Sequence, residues 1–257
     1  MCRFLAYIGE PVFLNTLVSE PAHSLLHQSL LSERATTVTN GDGFGIGWYG
    51  EREAPAVYRE VMPAWSDENL LALCHTLRSP LFFAHVRAAT GTAIARQNSH
   101  PFRHGRWMFM HNGQIGGYGQ LRRTLESRLP DELFAARKGA TDSELLFLLA
   151  LARIENGEPV TQAVTAIFDE TVALMHERGI EHPLRFSAAL ADGELLHVFR
   201  LASDDKPPTL YLRCGARGCV VASEPLDDDD GDWRLLRCGS ATTFNRLGQE
   251  VEEVTLV

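Results

Sequence analysis

MCRFLAYIGE, residues 1–10, sets a cysteine between the initiator methionine and an apolar run. As structure, residues 2–9 read as a buried strand ended by Gly9, with Cys2 packed as a small hydrophobe. As chemistry, removal of Met1 leaves Cys2 with a thiol and a free α-amino group on one carbon. An α-amine titrating near ~7.7–8.0 can take the thiol proton directly or through one water, so that one residue holds nucleophile and base together.

The segments beyond this strand alternate in a telling order. HSLLHQSLLSE has helical apolar spacing, and NGDGFGIGWYG alternates glycine with apolar residues, the mark of a strand approached closely by another backbone or a ligand. DENLLALCHTLRS reads as a helix stopped at Ser79 by Pro80, followed by the strand LFFAHVRAAT. RWMFMHNGQI reads as a strand running into an Asn-Gly turn. The middle of the chain is helical: TDSELLFLLALARIENG has Thr141 in capping position with Glu144 three residues on, and VTQAVTAIFDETVALMHERG is amphipathic and closes at Gly179. Strands then resume, with hairpins expected around Asp192-Gly193 and around Gly215 to Gly218, and DWRLLRCG and EVEEVTLV finish the chain. Strands, then helices, then strands predict an α+β fold of antiparallel sheets covered by helices, in a single domain over residues 2–257.

Composition narrows the function classes. The chain of 257 residues is 45% hydrophobic and 22% charged, with 24 Lys+Arg against 33 Asp+Glu for a net charge of −9. A phosphate backbone is repelled by that balance on average, so no nucleic acid partner is expected. The N-terminal apolar stretch is broken by Gly9, Glu10 and Pro11 and lacks a small-residue cleavage site, and nothing later reaches the length of a membrane span. Five cysteines, an odd number without a paired spacing pattern, suit a reducing cytoplasm better than a disulfide framework.

Several short patterns invite chemistry and are better explained as structure. GDGFGIG has Ile46 where a dinucleotide fingerprint needs its third glycine, and no lysine follows to make a phosphate loop. DDDDGD, set against a calcium loop, puts Leu226 at the first ligand position and Arg237 at the twelfth. His23 with His27, His100 with His104, and Cys214 with Cys219 each lack further ligands, so no metal and no cofactor are expected.

Five positions keep two readings each. Arg87 ends the apolar run LFFAHV, where a guanidinium can hold a carboxylate through two parallel hydrogen bonds or simply meet solvent. Thr90 adds a hydroxyl to the same ligand or merely favours the strand. Asn112-Gly113 is a strong hairpin signal, and an Asn amide with a Gly N–H can also converge on an oxyanion. Asp142 complements the dipole of its helix or faces a ligand ammonium.

Taken in order, MC at the start, AHVRAAT, NSHPF, MHNGQI and ATDSE resemble the class II glutamine amidotransferases, a family of N-terminal nucleophile hydrolases. MCRFLAYIG, NGDGFGIGWY and VVASEPLDDD are similar to its stand-alone branch, which includes the γ-glutamyl amidohydrolases of ergothioneine biosynthesis and related glutathione-degrading enzymes. The resemblance implies a four-layer αββα sandwich of two antiparallel sheets flanked by helices. It implies Cys2 as nucleophile, Asn112 and Gly113 as oxyanion hole, Arg87 on the substrate α-carboxylate, Asp142 on the α-ammonium, and Thr90 as a further substrate contact. One departure stands out: Gly91 follows Thr90 where synthase-linked members carry histidine, which puts a preference for free glutamine in doubt.

The implied activity is hydrolysis of a small γ-glutamyl amide, since no synthase domain follows in this chain. A glutaminase subunit feeding ammonia to a separate partner synthase and a catalytically silent ligand-binding protein remain the alternatives, and self-association is left open. His100 and His111 are expected to support the pocket or to be held by backbone contacts. Ser223 and Glu224, at a strand end before Pro225, line the leaving-group side or form a turn.

Overall fold

Alternation along the first strand organises the molecule. In the computed structural model, which describes residues 2–32, 38–89, 91–229 and 232–255, β1 (Arg3–Phe13) sends Phe4, Ala6 and Ile8 to one side and Leu5 and Tyr7 to the other. Both sides are buried, which is why the segment reads as an unbroken apolar run. Phe4, Ala6 and Ile8 meet the inward side chains of a second sheet, whereas Leu5 and Tyr7 meet helices.

β1 lies inside a seven-stranded sheet. Its other members are β2 (Phe44–Trp48), β3 (Ala56–Glu60), β4 (Arg78–Val86), β9 (Tyr211–Gly215), β10 (Gly218–Ala222) and β11 (Arg234–Leu235), in the order β11-β9-β10-β1-β4-β2-β3. The six-stranded second sheet contains β5 (Phe102–His104), β6 (Trp107–Ile115), β7 (Leu184–Ala191), β8 (Leu195–Ala202), β12 (Ser240–Asn245) and β13 (Glu250–Thr255), in the order β13-β12-β8-β7-β6-β5. Every pairing is antiparallel. Helices α1 (Asn15–Val18), α2 (Leu25–Leu30) and α3 (Glu68–Thr76) cover the outer face of the first sheet. Helices α4 (Tyr118–Glu126), α5 (Asp131–Ala136), α6 (Asp142–Glu155) and α7 (Val160–Glu177) cover the second. The expected α+β sandwich, helices outside and two antiparallel sheets within, is what the chain forms.

Local details depart from expectation where a long-range pairing overrides a local signal. β1 does not end at Gly9, which crosses Gly218 of β10 at close backbone approach, and the strand runs on to Phe13 after a register shift. α3 ends at Thr76, and Pro80 lies inside β4 rather than terminating a helix. Asn112-Gly113 is not a turn: both residues sit within β6, paired to Ser187 and Phe186 of β7. The glycines of β2 fit their expected role, with Gly45 against the His100 carbonyl and Gly47 against Met108 and Pro101.

The cysteines also need correction. Cys214 and Cys219 pair across the β9–β10 hairpin and form a disulfide, because its register places them face to face. Cys2, Cys74 and Cys238 are free. Unpaired cysteines therefore give no ground for assigning a compartment. Among the described residues no helix is long and apolar enough to cross a membrane.

Candidate active site

The apolar filling between the sheets gives way at one end to polar side chains. On β4, Leu81 and Phe83 point inward, so His85 and then Arg87 follow them on the same side; on β6, Met108 and Met110 point inward, so Asn112 follows. β1 runs antiparallel to β4 with Arg3 opposite Val86 and Phe4 opposite His85, which leaves Cys2 beside Arg87 and Ala88. The Cys2 Sγ lies 3.6 Å from the Ala88 carbonyl oxygen, and the residue is half-buried. Burial pushes its thiol pKa up, and the positive charges of Arg87 and Arg3 pull it back.

Arg87 is buried, yet its guanidinium finds only uncharged acceptors among the described residues. Nη2 donates to Thr92 Oγ1 at 2.7 Å and to the Ala93 carbonyl at 3.3 Å, and Nη1 donates to the Asp42 carbonyl at 3.4 Å. Burial lowers its pKa, while Cys2 and Asp42 favour the charge. The Asp42 carboxylate instead accepts from the Ala89 N–H at 2.8 Å and fixes the turn that follows Arg87. Thr90 lies outside the described residues.

Asn112 is fully buried, and neither its Nδ2 nor its Oδ1 has a partner among the described residues. An unbonded amide in a buried layer costs free energy, so its place on the inward face of β6 is informative. Gly113 is held against β7: a Cβ there would collide with the Arg185 carbonyl oxygen and lie 2.5 Å from His111 Nε2.

Asp142 stands at the start of α6, where the expected Thr141 cap forms by accepting from the Glu144 N–H at 3.2 Å. Its Oδ2 accepts from the Ile115 N–H at 2.8 Å and its Oδ1 from the Ser143 N–H at 2.8 Å, so the carboxylate ties the end of β6 to the helix. His111 adds a second tie, with Nδ1 2.9 Å from Ser143 Oγ and Nε2 3.2 Å from the Arg185 carbonyl. A carbonyl only accepts, so the neutral ring carries its proton on Nε2 and Nδ1 accepts from the serine hydroxyl. Cys2, Arg87 and Asn112 are thus brought to one end of the sandwich, and Asp142 with Gly113 borders it through β6.

Two further buried imidazoles, those of His85 and His100, pack against each other near Arg87. The His85 and His100 rings pack 4.2 Å apart, and His100 meets Phe102 at 4.5 Å. Burial pushes His85 down to about 3 and carries His100 well below its ordinary value, with Arg87 and the neighbouring rings adding to the effect. In the unfolded chain these rings titrate near ~6.5, so between there and pH 3 the unfolded state binds protons that the folded state does not. Stability from this source is intact above ~6.5 and drains away as pH falls, by about 3 kcal/mol for His85 alone at about pH 4. Imidazole nitrogen NMR at pH 5 should therefore show His85 and His100 neutral in folded protein; a protonated signal from either ring contradicts this.

Sequence reasoning missed Asp42, Ser143 and Arg3. Asp42 was hidden in a glycine-rich strand pattern, and Ser143 in a helix cap. Ser223 and Glu224 are buried and bonded to β1.

Two antiparallel sheets stacked between helix layers form the architecture of the N-terminal nucleophile hydrolases. The chain matches the family described as "Glutamine amidotransferases class-II" over residues 14–207. It is 29% identical to the probable glutamine amidotransferase DUG3 of Saccharomyces cerevisiae, over 96% of this chain and 82% of the yeast protein. It is 30% identical to the gamma-glutamyl-hercynylcysteine sulfoxide hydrolase of Mycolicibacterium smegmatis, over 90% of each chain. A glutamine aminotransferase class-II domain protein from Silicibacter pomeroyi has a solved structure that superposes with a TM-score of 0.77 at 36% identity, covering 100% of both chains. The chain belongs to the class II glutamine amidotransferase family and is an enzyme of that class. The matched region begins after β1 and leaves Cys2 outside it.

Proposed function

We propose that this protein hydrolyses a γ-glutamyl amide and releases glutamate through a thioester on Cys2. The observation that carries this reading is the buried Arg87 guanidinium beside the Cys2 thiol, with only uncharged acceptors among the described residues. A substrate α-carboxylate supplies the missing counter-charge, and Asp142 offers its remaining lone pairs to the α-ammonium on the same carbon. Fixing both groups holds the γ-amide two methylenes away, which turns attack into a near-unimolecular step. Thr90 contacts the same substrate in this reading.

With Met1 removed, the Cys2 α-amine takes the thiol proton and the sulfur attacks the γ-carbonyl carbon. The carbonyl electron pair moves onto oxygen, where the Asn112 amide and the Gly113 N–H donate to it. Collapse breaks the carbon–nitrogen bond, and the proton held by the amine goes to the leaving nitrogen. Water then attacks the thioester with the amine as base, and glutamate leaves as the thiol reforms. No metal or cofactor is needed at any step. The Mycolicibacterium smegmatis relative is named for hydrolysis of a γ-glutamyl conjugate, which favours hydrolysis over supply of ammonia to a separate synthase.

The test is glutamate release from a panel of γ-glutamyl peptides and glutamine, using protein whose intact mass confirms loss of Met1. Absence of release across the panel refutes the proposal. Arg87→Gln should lower kcat/KM by about 2–3 kcal/mol, on the order of a hundredfold, because it withdraws the charged partner of a buried carboxylate. Unchanged kcat/KM in that variant removes Arg87 from substrate binding.

A further inference from the structure

A nucleophile on a chain terminus raises a mechanical problem. Terminal residues fray unless something ties them down, and the first residue of a chain has no preceding peptide to hold it. Cys2 has to present its sulfur and its amine to one substrate carbonyl, so its own carbonyl is the backbone group left for anchoring.

That carbonyl is held. Arg3 Nη1 donates to the Cys2 carbonyl oxygen at 3.0 Å, and Arg3 Nε donates to Glu224 Oε1 at 2.7 Å. Glu224 follows Ser223 at the end of β10, and Ser223 is bonded to β1 twice. Its Oγ accepts from the Phe4 N–H at 3.0 Å, and its N–H donates to the Phe4 carbonyl at 2.9 Å. The segment is braced from outside as well, since the Ser223 carbonyl accepts from Thr209 Oγ1 at 2.8 Å and the Glu224 carbonyl from Gln28 Nε2 of α2 at 3.4 Å.

Packing alone does not account for Arg3. It occupies the outer-face side of β1, where Leu5 and Tyr7 follow, and it is fully buried with Nη2 unpartnered among the described residues. A buried ion pair with an unsatisfied donor is a poor source of stability compared with an apolar side chain in the same place. Its second hydrogen bond lands on the one residue whose orientation the chemistry needs.

We infer that Arg3, locked by Glu224 and backed by Ser223, is a positioning residue that fixes the Cys2 peptide plane and so aims the terminal thiol and amine at the bound amide. The inference rests on the γ-glutamyl hydrolase reading. Arg3 touches no substrate atom in it, and its guanidinium fork matters because one arm holds the carboxylate while the other holds the carbonyl. A lysine keeps the charge and cannot make both bonds in that geometry.

The experiment uses protein lacking Met1 and two measurements. One is steady-state hydrolysis of γ-glutamyl-p-nitroanilide; the other is the pH midpoint of iodoacetamide alkylation at Cys2, followed by peptide mass to separate it from Cys74 and Cys238. Arg3→Lys should lose about a hundredfold in kcat while KM stays near its original value, since misplacement of reacting groups is costly and the substrate contacts are untouched. Its alkylation midpoint should stay in place, because a positive charge remains. Arg3→Met should raise that midpoint. Wild-type kcat in Arg3→Lys overturns the inference while leaving the hydrolase reading intact. If Arg3→Lys fails to fold, Glu224→Gln is read by the same kcat criterion, with an undiminished value equally fatal. Wild-type protein that hydrolyses neither the anilide nor any member of the γ-glutamyl panel, with a midpoint that still rises in Arg3→Met, refutes the hydrolase reading and retains the contact between Arg3 and the terminal residue.

Discussion

Cys2→Ala is expected to abolish glutamate release from γ-glutamyl substrates, by at least about 10⁴-fold in kcat, because it removes the atom that forms the thioester. The fold should survive the change. Cys2 is half-buried, and its side chain makes only a long Sγ contact to the Ala88 carbonyl at 3.6 Å among the described residues. Thermal unfolding of the variant should therefore match wild type to within about 1 kcal/mol. Cys2→Ser is the sharper variant, since it keeps a nucleophilic side chain of nearly the same shape. Its hydroxyl is a far weaker acid than a thiol and a poorer nucleophile in a site shaped around sulfur, so activity should fall steeply. Glutamate release at the wild-type rate from either variant removes Cys2 from the chemistry.

A second consequence follows from the same atoms. Burial raises the Cys2 thiol pKa against the opposing charges of Arg87 and Arg3, which is why the proposed mechanism assigns its proton to the terminal amine. Removing either arginine therefore shifts acid–base behaviour as well as binding or orientation.

The sandwich was legible because its main signals are local and periodic. Apolar runs such as residues 4–8 declared buried strands, and Thr141 with its hydroxyl on the Glu144 N–H declared the start of α6. What local reasoning misjudged were residues whose role is set by a partner far along the chain. Asn112-Gly113 has the composition of a tight turn, yet eight register pairs between β6 and β7 absorb it into a strand. Gly9 and Pro80 looked like stops, and pairing with β10 and placement in β4 carried the chain through them. Cys214 and Cys219 had no metal partners, and only the β9–β10 register shows that they face one another.

The site divides the same way. Motif order brought Cys2, Arg87, Asn112, Gly113 and Asp142 forward as candidates, and alternation along β1, β4 and β6 explains why Cys2, Arg87 and Asn112 lie at one end of the sandwich. Arg3 was passed over although it adjoins Cys2, because its meaning depends on Ser223 and Glu224, more than two hundred positions away in the chain. Asp142 was expected to face a ligand, and its oxygens are also needed by the Ile115 and Ser143 N–H groups. A carboxylate already accepting two backbone bonds is a rigid receptor for an ammonium, so both duties are compatible.

Asn112 offers a test in which activity and stability move apart. Its amide is buried and unbonded among the described residues, so the folded enzyme bears a desolvation cost for it without a compensating hydrogen bond. Asn112→Ala should lower kcat by about 10²–10³-fold, the loss expected for one oxyanion donor, equivalent to about 2.7–4 kcal/mol. KM should change little, because the donor acts on charge that develops only in the transition state. Its unfolding temperature should hold or rise, since an orphaned polar group leaves the inter-sheet layer. Asn112→Asp should be worse for catalysis, as an ionised carboxylate offers only acceptors and repels the oxyanion. Gly113→Ala should instead damage structure, because its new methyl group has to displace the Arg185 carbonyl or the His111 ring. Loss of stability in Asn112→Ala with kcat preserved would make the residue a packing element, and the oxyanion would need another donor.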